Sequence, residues 1–98
     1  MPEFTKIKSV FTPKRPLTEI ELLRAIKLAL ASEFEAIQIY QQIMETTDKI
    51  PVKKVLSEIT DDEKHHVGGL YKLLEILSPE DAKAYEYGVQ ETLDNISK

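Results

Sequence analysis

The 98-residue sequence contains no cysteine, which removes disulfides, thiolate catalysis and cysteine-held zinc together. Any metal must therefore be held by carboxylate and imidazole. No apolar run approaches the ~18–20 residues of a membrane span, and the charged start lacks the pattern of a secretory signal, so an intracellular chain is expected. Positive charge is in deficit, with 13 Lys+Arg against 17 Asp+Glu and a net charge of −4. That balance argues against a nucleic-acid or membrane partner. Internal repeats and low-complexity segments are absent as well. What remains is 42% hydrophobic and 31% charged residues, the composition of a folded protein, in a length that allows one domain.

Residues 1–17 carry Pro2, Pro13 and Pro16 with four basic residues, Lys6, Lys8, Lys14 and Arg15. A helix is disfavoured there, and an extended or flexible N-terminal arm is expected. Residues 18–98 read as one helical domain. Thr18-Glu19-Ile20-Glu21 has the form of a capping box, and no Pro or Gly follows until Pro51, which predicts a helix over about 19–47. Asp48-Lys49 is the expected turn. Pro51 suits the first turn of a second helix over about 51–77. Ser78-Pro79-Glu80-Asp81 repeats the start signal with a serine cap and early acids, giving a shorter third helix over about 79–96. Gly88 could interrupt that helix, whereas Gly68-Gly69 leaves the second one in phase.

The first helix has a stripe spaced by three and four residues: Leu23, Ile26, Leu30, Glu33, Ile37, Tyr40 and Met44. The second has Val52, Leu56, Ile59, Glu63, His66, Leu70, Leu73 and Leu77. Such spacing keeps one seam facing a partner helix. Glu33, Glu63 and His66 interrupt the seams midway. Folding the helices back about Asp48-Lys49 brings Glu33 level with the Glu63/His66 pair, whose members leave one helix face about a turn apart. One cation could touch all three. A second stripe on the first helix, Leu22, Ala25, Ala29, Ser32, Ala36, Ile39 and Ile43, is small at its centre and calls for another close neighbour. A lone hairpin cannot supply one, so two copies are expected to form a four-helix bundle.

Ionised carboxylates inside a bundle cost several kcal/mol each even after relaxation, and neither seam carries Lys or Arg. In a dimer, two copies of Glu33 and Glu63 bring four negative charges, which two divalent cations cancel while accepting two imidazoles. Mixed oxygen and nitrogen donors suit iron, manganese or zinc better than calcium. The bland readings stand beside this one. His65, Asp61 and Asp62 belong to a solvated face, Glu35 is ordinary surface, and Tyr40 is a core aromatic.

A Glu on one helix and Glu-x-x-His on the next is half of the ligand set of ferritin-like di-iron bundles. The stretch Ser32-Glu33-Phe34-Glu35-Ala36-Ile37-Gln38-Ile39-Tyr40, with Asp61-Asp62-Glu63-Lys64-His65-His66, resembles the encapsulated ferritin family over residues 18–96. That resemblance implies an all-α subunit, an antiparallel helical hairpin plus a short C-terminal helix, dimerising into a ferritin-like four-helix bundle within a larger ring such as a decamer. It implies a ferroxidase that oxidises Fe(II) with dioxygen at two irons per dimer, with Mn, Zn or Ca as substitutes. The ferric iron would go to storage or detoxification in a cytoplasmic encapsulin compartment, making the shell a partner. By position, Glu33, Glu63 and His66 would be ligands, Glu63 the bridge, Tyr40 a hydrogen-bond donor to the site, and Glu35 part of an acidic access site. Ser32 stands where an additional glutamate is common, which puts that access site in question. Asn95-Ile96-Ser97-Lys98 is not a recognisable shell-targeting tail, which points to a domain cut from a shell fusion or a relative working outside a shell, with free cargo or fusion domain left open. Rubrerythrin-like peroxide reduction and a non-catalytic metal-bridged oligomerisation module are the alternatives.

Overall fold

The computed structural model describes residues 15–98, so residues 1–14 of the expected arm lie outside the described residues. Among the described residues there are three helices and no strand: α1 (Glu19–Thr46), α2 (Ile50–Leu77) and α3 (Pro79–Ile96). None is long and apolar enough to cross a membrane.

Local chemistry sets each start. Glu21 N–H donates to Thr18 Oγ1 over 3.2 Å, and Thr18 N–H donates to Glu21 Oε1 over 2.9 Å, completing the capping box. Arg15 adds a two-pronged clamp, Nη1 to Oε1 at 2.7 Å and Nη2 to Oε2 at 3.0 Å. Its hydrogen bonds, with that from the Thr18 backbone, hold the Glu21 carboxyl down to about 2. At the other end of α1 a three-residue link, Thr47 to Lys49, turns the chain back, with Lys49 N–H donating to Thr47 Oγ1 over 3.2 Å. Pro51 then occupies the first turn of α2.

Ser78 closes α2 and opens α3. Its N–H donates to Leu74 O over 2.9 Å, while its Oγ accepts from Asp81 N–H over 3.3 Å. Lys27 of α1 reaches Asp81 over 3.4 Å and braces the start of α3. α3 buries no residue of its own. It runs unbroken through Gly88, as α2 does through Gly68 and Gly69, and a Cβ at any of the three would meet nothing within 4 Å.

α1 and α2 pack as an antiparallel hairpin whose core is thin. Only Ser32, Ala36, Thr60 and Leu74 are buried among the described residues. On α1 the deepest positions therefore come from the small-residue stripe, while Leu30, Glu33 and Ile37 of the other stripe are half-buried beside it. Within the hairpin both stripes flank one contact line, where small side chains let the helices pack closely, while Leu22, Ile39 and Ile43 of the second stripe stay exposed.

The seam expected on α2 needs a similar correction. Glu63 is followed inward by Val67, Leu70 and Leu74, while His66, Leu73 and Leu77 are exposed. The buried line takes an extra four-residue step after Glu63. A straight helix of ~3.6 residues per turn drifts about 20° per heptad from a strict 3.5-residue repeat, and the drift turns His66 out to the flank.

Candidate metal centre

Glu33 lies mid-way along α1 and Glu63 mid-way along α2, which the short turn holds side by side. His66 follows one turn after Glu63. Its Nδ1 stands 3.7 Å from Glu33 Oε1 and 3.8 Å from Glu63 Oε2. One donor atom from each of the three falls within 4.8 Å of the others, the one such grouping among the described residues. Donors around a single transition-metal ion with bonds of ~2.0–2.2 Å sit roughly 3–4 Å apart, so modest side-chain rotations close the set.

Charge and burial make a cation fit here. Among the described residues, the lysine and arginine ion pairs go to Glu21, Asp81 and Glu75, and none reaches Glu33 or Glu63. Glu63 Oε2 is buried with no hydrogen-bond partner. An unsatisfied buried acceptor costs ~1–3 kcal/mol, and more when charged. A cation among the three donors removes that cost, and two carboxylates with an imidazole are the donors of iron, manganese and zinc sites.

The cluster is graded in exposure. The Glu63 side chain is 18% exposed, that of Glu33 25% and that of His66 58%. It is closed toward the hairpin and open on the His66 side, so one chain offers three donors and an uncovered flank. Glu35 is exposed and joins no grouping of donors. Tyr40 is half-buried on α1, two turns beyond Glu33, or about 10 Å along the axis. His65 is exposed.

Seam polarity passes over one residue that the structure brings forward. Thr60 is buried, precedes Glu63 by one turn of α2, and its hydroxyl has no hydrogen-bond partner. The signal available in the sequence was its place three residues before a seam glutamate, which puts both side chains on one face.

Comparison with known proteins agrees with this geometry. The rubrerythrin family model matches residues 24–95. The chain is 34% identical over 77 residues to a ferritin-like-encapsulin shell fusion protein of Pyrococcus furiosus, covering 79% of this chain and 22% of that protein. It is also 34% identical over 68 residues to the encapsulin nanocompartment cargo protein EncC of Myxococcus xanthus, covering 69% of this chain and 52% of that one. The chain thus spans about a fifth and about half of the curated relatives it matches. Among solved structures, the encapsulated ferritin domain from Pyrococcus furiosus superposes with a TM-score of 0.81 at 30% identity, covering 88% of each chain. With a carboxylate–imidazole cluster between the helices of an all-α hairpin, and a match in sequence and fold over most of its length, the chain belongs to the encapsulated ferritin family of the ferritin-like di-iron superfamily.

Proposed function

We propose that the chain oxidises Fe(II) to Fe(III) with dioxygen at paired iron sites formed when two copies pack together. The ferric iron is then stored or detoxified inside an encapsulin compartment of the cytoplasm. The observation that carries this reading is the buried, unpartnered Glu63 oxygen beside Glu33 and His66, with no lysine or arginine paired to them among the described residues. Relatives named as encapsulin cargo or as a shell fusion support the compartment.

Iron is the substrate. Glu33, Glu63 and His66, whose Nδ1 lies beside both carboxylates, bind it, with Glu63 the residue shared between two ions. Two copies of the carboxylate pair balance two Fe(II). Hard oxygen donors favour the more highly charged product, so the same residues assist loss of an electron from each ion. Two irons side by side supply the electron pair that, with two protons from solvent, takes dioxygen to hydrogen peroxide. The second copy covers the open His66 flank and the exposed Ile39, Ile43 and Leu73. Tyr40 is assigned as a hydrogen-bond donor to the site and Glu35 as an acidic access residue. Manganese, zinc or calcium can take the same donors in place of iron.

The test loads the chain with Fe(II) under argon and then admits air. One iron per chain in a species of even subunit number, with rapid growth of ferric-oxo absorption, is expected. A metal-free monomer, or an unchanged spectrum after air, overturns the ferroxidase. The rubrerythrin match favours one second reading, in which hydrogen peroxide is the oxidant. Peroxide added to the ferrous protein under argon, compared with air, separates the two.

A further inference from the structure

A second polar residue on the inner face of α2 bears on the same site. Of the five serines and threonines within these helices, three turn their oxygen back onto a carbonyl of the preceding turn, and of the other two Ser57 is exposed and Thr60 buried. Ser32 does so to Leu28 O at 3.0 Å, Thr46 to Gln42 O at 3.1 Å, and Thr92 to Gly88 O at 2.9 Å. Thr60, more deeply buried than any exposed hydroxyl of α2, forgoes that bond, and its Oγ1 has no partner. A buried hydroxyl that does not fold back onto its own helix needs another acceptor.

The acceptor lies one turn along. Side chains on a helix lean toward its N-terminus, so the Glu63 side chain extends over the turn that contains Thr60. Its Oε2 is the other buried atom without a hydrogen-bond partner. One group is a donor in want of an acceptor, and the other is a carboxylate oxygen in want of a donor. They stand three residues apart on one face, where a change of side-chain torsion brings them together. No described lysine or arginine competes for the carboxylate.

We propose that Thr60 is a positioning residue for the metal site: when a cation draws the Glu63 carboxylate into place, the Thr60 hydroxyl donates to it and fixes the orientation in which that group meets the ion. This rests on the assignment of Glu63 as a metal ligand. Groups that orient a ligand carboxylate ordinarily change metal affinity by ~10–100-fold when removed. Thr60 touches no substrate and acts through Glu63 alone.

The experiment compares the wild-type chain with Thr60→Val, which keeps the shape and removes the hydroxyl, and Thr60→Ser, which keeps the hydroxyl. Each is titrated with Co(II), whose visible absorption reports affinity and ligand geometry, and melted in EDTA without metal. Thr60→Val is expected to bind Co(II) ~10–100-fold more weakly with an altered spectrum, and to melt no lower than wild type in EDTA. Thr60→Ser is expected to restore affinity and spectrum. Thr60→Ala carries the comparison if the valine variant does not fold. Wild-type affinity in Thr60→Val overturns the proposal, as does a loss that tracks a lower metal-free melting point and is not rescued by serine. Failure of the wild-type chain itself to take up Co(II) is a different result, which overturns the metal site and this role with it.

Discussion

Glu63→Gln should reverse its effect on stability according to whether metal is present. Without metal, the wild-type chain keeps a carboxylate oxygen buried and unpartnered. Glutamine has nearly the same shape and no charge, and its amide can donate as well as accept. Relief of such an orphan is worth ~1 kcal/mol or more. For a chain of this length that corresponds to a rise in Tm of about 4–8 °C. With Zn(II), which adds no redox chemistry, the order inverts. A ligand at 100 times its dissociation constant stabilises the form that binds it by about 2.7 kcal/mol, or roughly 10–20 °C at this size, and only the wild type collects that gain in full. The assay is thermal unfolding followed by far-ultraviolet circular dichroism, at one protein concentration, in EDTA and in excess Zn(II). If Glu63→Gln melts below wild type in EDTA, the carboxylate is a structural hydrogen-bonding group and not an uncompensated charge. If both proteins gain equally from Zn(II), Glu63 is not a ligand. Either result refutes the reasoning.

Other expectations follow from packing, caps and the Arg15 clamp. Ala36→Leu, at the closest approach of α1 and α2, should cost ~1–3 kcal/mol by overpacking in urea unfolding, while Glu35→Ala on the exposed side stays within about 0.5 kcal/mol. Ser78→Ala removes the cap of α3 and should cost about 1 kcal/mol, with hydrogen exchange accelerating first in the turn after Pro79. Arg15→Gln should return the Glu21 carboxyl from about 2 toward its ordinary 4.5, read by carbon-13 shifts of the side chain. Because that value is depressed in the folded chain, the clamp's contribution to stability is complete above pH 4.5 and is lost as pH falls toward 2. His66→Ala should abolish Co(II) uptake and leave helix content unchanged, since that side chain is more exposed than buried.

Much of this was legible in the sequence because short-range chemistry decides it. Thr18, Glu21, Ser78 and the prolines at 51 and 79 mark helix starts through backbone groups only a few residues away. Glu33 meets Glu63 and His66 because the turn is short and the rise per residue is constant. What escaped was rotational phase. A heptad register assumes that helices coil about one another, and α2 instead drifts, so Leu74 replaces Leu73 in the core and His66 moves to the rim. The choice of Ser32 and Ala36 as the deepest positions of α1 depends on how near two backbones can come, a quantity with no local signature. Thr60 escaped for the same reason, since a threonine declares itself only when its hydroxyl is seen to lack a partner.

Because Ser78 alone separates α2 from α3, the heading of the last helix is governed by the dihedral angles of a single residue. α3 has 18 residues and so extends about 27 Å. A change of 10° at that joint carries Ile96 sideways by about 5 Å, on the scale of one helical turn. The Lys27–Asp81 pair near the pivot, exposed and 3.4 Å long, resists such a swing with the least leverage. The helix is thus a lever, in which a small rotation at Ser78 is magnified into a displacement of a whole turn at Ile96.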